Sequence, residues 1–65
     1  MVSIQVGKHY RNIKTQNIYV VLHVAKAAWD NNQVLIVYRH LLSDEHIWIR
    51  SRTEFYEKFE EVDAS

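Results

Sequence analysis

Hydrophobic residues fill both faces of residues 18–25, and this pattern predicts a β-strand. The segment reads Ile-Tyr-Val-Val-Leu-His-Val-Ala, in which even-numbered residues share one face and odd-numbered residues share the other. Residues 34–42 have a similar composition of β-branched and aromatic residues and predict a second strand. The turn-forming residues 30–33 lie between them, so we expect an antiparallel hairpin that turns at Asp-Asn-Asn-Gln.

Two further strands complete a predicted meander. Residues 47–50 alternate, with Ile47 and Ile49 on one face and Trp48 and Arg50 on the other. Near the N-terminus, the short mixed segment 8–13 precedes polar residues that are typical of a turn, and it predicts another strand.

A short helix is predicted after the last of these strands. Ser51 and Glu54 match a capping box, in which each side chain satisfies a backbone amide at the start of a helix. Phe55, Phe59 and Val62 recur at four and three residues, which places them on one face of a helix of at most about three turns. We therefore expect a mainly β domain of four to five strands with a short C-terminal helix.

Length and composition indicate one domain that covers residues 1–65 and lacks cysteine. The absence of cysteine excludes disulfides and thiolate zinc sites. A domain of this size buries only about 60% of the surface that its unfolded chain exposes, which favours a homo-oligomer. No apolar run reaches the roughly 20 residues of a membrane span, and the first residues lack a secretory pattern, so we expect a cytoplasmic protein with no membrane partner.

The formal net charge is zero, but the charges are unevenly distributed. Residues 1–52 hold seven Lys and Arg against three Asp and Glu, whereas residues 53–65 hold one Lys against five acidic residues. The basic part suits an anionic ligand, and the alternative is a helix whose acidic face is solvated.

The sequence offers little for catalysis. It has four serines, of which Ser51 is explained as a helix cap, and its four histidines lack the spacing of a local metal site. One glycine, Gly7, cannot form the loops that bind phosphates in common nucleotide-binding folds. We therefore expect no enzyme activity, no catalytic residues, no metal site and no cofactor.

Aromatic residues stand next to arginines on several predicted strands. Aromatic rings stack on flat groups and guanidinium groups bind phosphates or carboxylates, so this combination suits a nucleotide, a short nucleic acid or an acidic peptide. The alternative is that Tyr38 and Trp48 pack in the core while the arginines pair with the acidic helix. The candidate ligand-binding residues are Tyr10, Arg11, Lys14, Tyr38, Trp48 and Arg50.

Trp48 and Arg50 are expected to face outward if Ile47 and Ile49 face the core. An outward tryptophan on a small sheet needs a cover. The helix, a second copy of the chain and a ligand remain alternatives at this point.

These same residues resemble a family of bacteria and their phages, domain of unknown function 1653. The resemblance extends from about Lys8 to Val62 and rests on Tyr10, Arg11, Lys14, Tyr19, Val21, Leu22, Ala25, Val37, Tyr38, Trp48, Arg50 and Phe55. The chain departs from the family pattern at Asn12, Thr15, Ala28, Trp29 and Ser51. The resemblance implies an SH3-like β-barrel or a strongly bent sheet, and it leaves the activity open.

Two functions follow as expectations. The first is a non-enzymatic binding module, encoded by a phage or a mobile element, that holds an anionic flat ligand and forms a homo-oligomer. The alternative is a protein interaction module that docks on a bacterial protein and inhibits or recruits it.

Overall fold

A computed structural model describes residues 4–62 and shows five β-strands and one helix. The elements in chain order are β1 (His9–Asn12), β2 (Ile18–Ala27), β3 (Asp30–His40), β4 (Ile47–Ser51), α1 (Arg52–Lys58) and β5 (Phe59–Glu61). The prediction of a mainly β domain with four to five strands and a short helix is confirmed. No helix within residues 4–62 has the length and apolar character needed to span a membrane.

The strands form one open antiparallel sheet in the order β4-β3-β2-β1-β5. The first four strands make the predicted meander, and β5 pairs with the other side of β1. In a flat sheet, the two edge strands would lie about 19 Å apart at a spacing of about 4.8 Å per strand. The guanidinium carbon of Arg50 on β4 nevertheless lies 6.0 Å from the ring centre of Phe59 on β5. The sheet is therefore strongly bent.

The core lies on the concave face of this sheet, under α1. It consists of Tyr10, Val21, Ile36, Tyr38, Phe55 and Phe59. Phe55 and Phe59 stack with ring centres 4.2 Å apart, and Phe55 also meets Tyr10 edge to face at 5.3 Å. Because α1 connects one edge of the sheet to the other, its buried side chain packs against strands from both halves of the sheet.

The predicted helix begins where expected but ends early. The Ser51 hydroxyl accepts a hydrogen bond from the Glu54 amide at 3.3 Å, which confirms the serine half of the predicted capping box, while the Glu54 carboxylate bonds Arg50. At Phe59 the backbone becomes extended, with φ −127° and ψ 152°, and it continues as β5. The seven-residue helix is within the predicted limit of three turns, but the prediction that Phe59 and Val62 lie on it is wrong, because Phe59 pairs with Asn12 in the sheet. The Phe55 and Phe59 side chains are both buried, as the predicted face required.

The turn of the first long hairpin lies earlier than predicted. β2 and β3 are connected by Ala28 and Trp29, and Ala27 pairs with Asp30. The next pair is Lys26 with Val34, so three polar residues, 31–33, form an irregularity within β3. The turn-forming residues thus make a bulge, and the predicted turn at residues 30–33 is wrong. Ala27 is buried and pairs with Asp30, so the two strands continue past the bulge as far as the turn at Ala28 and Trp29.

Candidate ligand-binding site

The orientation of β4 determines which side chains a ligand meets. Trp48 pairs with Tyr38 and Arg50 pairs with Ile36, and both partners are core residues. Paired residues of an antiparallel sheet lie on the same face, so Trp48 and Arg50 lie on the concave face. The two isoleucines of β4, 61% and 60% exposed, point away from the core. The arrangement considered from the sequence, in which Ile47 and Ile49 face the core and Trp48 and Arg50 face outward, is therefore wrong.

Tyr19 is the centre of an aromatic cluster on the concave face. Its ring meets four other rings edge to face, with centroid distances between 5.4 and 5.8 Å, in the geometry that aromatic pairs prefer. These rings belong to Tyr38, His40, Trp48 and Phe59. We call these five residues the aromatic cluster. Trp48 is its exposed rim, with 41% of its surface open to solvent, and His46 lies 5.8 Å from the Trp48 ring.

Arg50 is held in place beside this rim. Its Nε donates a hydrogen bond to the Tyr38 hydroxyl at 3.3 Å, and one terminal nitrogen bonds Glu54 at 3.3 Å. The hydrogen bond with Tyr38 raises the pKa of Arg50 above its ordinary value, so the guanidinium keeps its charge. A fixed cation two residues from an exposed tryptophan on one strand face presents a charge and a ring face side by side.

The other candidate residues are distributed differently. Tyr10 and Tyr38 are each 4% exposed, so their rings belong to the core. Arg11 lies on the convex face, because it follows Tyr10 on β1, and its guanidinium bonds Glu60 at 2.7 Å. Lys14 lies in the turn after β1 and is exposed. The structure therefore brings Tyr38, Trp48 and Arg50 together and leaves Arg11 and Lys14 outside that group.

Four neighbours of the site were missed by sequence reasoning: Tyr19, His40, His46 and Phe59. Tyr19 and His40 are a cross-strand pair, and their contact follows only once the register of β2 with β3 is known. That register shifts between Val21 and His23, which moves His23 to the convex face beside Val37. Phe59 was missed because the sequence pattern assigned it to the helix, which ends at Lys58.

A shallow groove continues from Arg50 around the end of β4. It has a volume of about 410 Å³ and is lined by Trp29, Gln33, Leu35, Ile49, Arg50, Ser51 and Glu54. Trp29, at the tip of the β2–β3 hairpin, donates a hydrogen bond from its indole nitrogen to the Gln33 side chain at 3.2 Å. The volume falls in the range of small-molecule sites. Arg50 therefore borders both the aromatic cluster and a groove.

Within residues 4–62, no three histidine, aspartate or glutamate side chains approach closely enough to hold a metal ion. The groups that surround Arg50 are aromatic rings, one hydroxyl and one carboxylate. These groups offer a charge, hydrogen bonds and ring faces to a ligand.

Comparison with known proteins identifies the family of this chain. The family described as "Protein of unknown function (DUF1653)" matches residues 7–64, which include every strand and the helix. The chain belongs to this family. No curated protein and no solved structure matches the chain. The resemblance predicted from the aromatic and basic positions is thus confirmed. Because the DUF1653 family is described as of unknown function, membership gives this chain no activity.

Proposed function

We propose that this DUF1653 protein is a non-enzymatic binding module for an anionic ligand with a flat part, such as a nucleotide or a short nucleic acid. The observation that carries the proposal is the fixed position of the Arg50 guanidinium beside the exposed rim of the aromatic cluster. The proposal includes a cytoplasmic location and the bacterial or phage origin that the family resemblance implies.

Each group in the site has a separate role. Arg50 binds the phosphate or carboxylate of the ligand, because a guanidinium offers several donors in one plane. Trp48 stacks on the flat part of the ligand, and base–aromatic stacking contributes about 1–3 kcal/mol per base. Tyr38 acts as a positioning residue, since its hydroxyl fixes Arg50 while its ring stays in the core.

Glu54 sets the charge that a ligand meets. Its carboxylate already bonds Arg50, and 55% of its side chain is exposed. An incoming anion must share or replace this contact, so binding is weakened by the nearby negative charge. Removing this carboxylate is therefore expected to raise the affinity for anions.

The proposal is tested by titrating the protein with nucleoside mono-, di- and triphosphates and with short oligonucleotides. Tryptophan fluorescence and calorimetry measure the binding. We expect binding that Arg50→Ala abolishes and that Arg11→Ala leaves unchanged. The matched control works because Arg11 also bonds a glutamate but lies on the convex face. Unchanged affinity in Arg50→Ala would refute this site, and strong salt dependence of binding would support phosphate recognition.

The second candidate is a module that docks on a bacterial protein to inhibit or recruit it. The exposed isoleucines at positions 47 and 49, next to each other on the convex face, favour it. Protein docking predicts a large interface with weak salt dependence, whereas nucleotide binding predicts a strong one. Variants of the two isoleucines would then abolish binding while Arg50→Ala would not.

A further inference from the structure

The two edges of the sheet differ in how they are protected. Edge strands in monomeric proteins usually carry charged residues or are very short, because unpaired backbone groups attract a further strand. β5 has three residues, and its Glu60 and Glu61 are exposed. β4 has five residues and begins Ile47-Trp48-Ile49, with its first charge at Arg50. Among the described strands, β4 is therefore the edge suited to pairing.

We infer that β4 pairs with β4 of a second copy of this chain, in antiparallel direction, around a two-fold axis at Ile49. The two open sheets then join into one continuous sheet of ten strands. This arrangement satisfies the outer backbone groups of β4 in both copies and is a closed dimer that needs no further copies.

Symmetry limits the registers that such a pair can adopt. A two-fold axis perpendicular to the sheet keeps each side chain on its own face, so one residue must lie opposite itself. With Ile49 at the axis, Trp48 lies opposite Arg50 of the second copy, and this pair occurs twice. Tryptophan is the best ring partner for a cation, and arginine is the cation found more often in such pairs. On the convex face, the isoleucines of both copies form one apolar strip.

The charges around β4 agree with the antiparallel direction. Asp44 and Glu45 precede the strand, whereas Arg50 and Arg52 lie at its end or just beyond it. In the antiparallel register centred on Ile49, Arg52 of one copy lies opposite position 46 of the other, next to Glu45. A parallel pair would place like charges side by side, which is unfavourable. Charge complementarity thus selects a second copy in this orientation.

The interface shares Trp48 and Arg50 with the proposed ligand site. What the dimer offers to a ligand therefore rests on the proposed function. Trp48 and Arg50 of both copies come together at the axis, so a ligand would meet two cations and two indole rings. The pairing itself needs no ligand, and it is measured in the absence of any nucleotide. A protein that dimerises but binds no nucleotide refutes the proposed function alone.

Single cysteines test the register, because the chain has none of its own. Residues that lie opposite each other in an antiparallel pair have Cα atoms about 4.5–5.5 Å apart, which a disulfide can bridge. We expect Ile49→Cys to form a covalent dimer under mild oxidation. Ile47→Cys should remain uncrosslinked, since the two copies of position 47 would be about 13 Å apart along the strands. Ile13→Cys, in the turn after β1, is the exposed control.

Charge substitutions test the equilibrium. Sedimentation of the unmodified chain should show a species of about twice its 7.8 kDa mass. Ile49→Lys places like charges opposite each other and should weaken the dimer about tenfold or more, while Ile13→Lys should not. Mixing Ile49→Lys with Ile49→Glu should restore a mixed dimer, because opposite charges then meet at the axis.

Three results would overturn the inference. They are a wild-type chain that stays monomeric at millimolar concentration, equal crosslinking of Ile47→Cys and Ile49→Cys, and a dimer that Ile49→Lys leaves unchanged. Circular dichroism of each variant checks its fold. If Ile49→Lys does not fold, the cysteine variants decide the outcome.

Discussion

Trp48 stacks on Tyr38 across the β3–β4 pair, with ring centres 6.1 Å apart and planes inclined by 30°. One side of the indole is thus covered by the chain's own aromatic cluster, while 41% of the residue stays exposed. The sheet itself thus supplies part of the cover, whereas the covers considered from the sequence were the helix, a second copy of the chain and a ligand. The exposed remainder is what a ligand or a second copy can contact.

The stacking predicts a moderate contribution of Trp48 to stability. Trp48→Ala should lower the free energy of unfolding by about 2 kcal/mol, because a half-exposed ring loses only part of the contacts of a buried one. Trp29→Ala is the control: Trp29 is 76% exposed, and its loss should cost below about 0.5 kcal/mol. Urea unfolding measures both. Equal losses for the two variants would show that Trp48 does not pack as described.

Ser51 predicts a measurable helix-cap contribution. Ser51→Ala removes the hydroxyl that accepts from the Glu54 amide and should lower the free energy of unfolding by about 1 kcal/mol. Ser51→Asp keeps an acceptor at this position and should stay within a few tenths of the wild type. Chemical denaturation followed by circular dichroism compares the two. If both substitutions cost the same, the cap does not support α1.

Tyr10 predicts a loss of stability at alkaline pH. Burial raises the pKa of its hydroxyl above the ordinary value of 10.0, and the hydroxyl accepts a hydrogen bond from the Gln5 amide. The unfolded chain then releases this proton at a lower pH than the folded chain. This contribution is fully present below about pH 10 and is lost as pH rises from there through the folded-state pKa.

The comparison of the chain with Tyr10→Phe isolates this effect. Urea unfolding at pH 8 and pH 11 should show a smaller decrease for Tyr10→Phe than for the unmodified chain, since the variant has no proton to lose at this position. A decrease of the same size in both proteins would assign the alkaline loss to other groups.

Removal of the Glu54 charge should increase the affinity for anions. Glu54→Gln removes the negative charge that bonds Arg50 and should tighten nucleotide binding several-fold. Glu57→Gln, an exposed residue of the same helix, is the matched control and should have a smaller effect. Calorimetry with one nucleoside triphosphate compares them at the same salt concentration. Weaker binding in Glu54→Gln would mean that Glu54 helps to position Arg50 for the ligand.

The strands and the helix start follow from local patterns, which explains why the sequence predicted them well. A run of β-branched and aromatic residues defines β2, and alternation defines β4, without reference to the rest of the chain. The Ser51 cap is a contact within one turn. The end of α1 was not predictable in this way. Phe59 leaves the helix because Asn12, 47 positions earlier, pairs with it in the sheet.

The site was predicted in part for the same reason. Residues two apart on one strand share a face, so Trp48 and Arg50 were grouped correctly. Which face they occupy depends on packing of the whole sheet, and the pattern Ile-Trp-Ile-Arg fits either orientation. The contribution of Tyr19 required the registers of β2 with both neighbours.

The pairing of β1 with β5 has a consequence for how the protein is made. Tyr10 pairs with Glu61, so this part of the sheet joins positions separated by almost the whole described chain. During synthesis, the β2–β3 hairpin can form early, but β1 gains its second neighbour only after Glu61 has left the ribosome. Until then, the outer edge of β1 stays unpaired, and the final residues of this segment cover it.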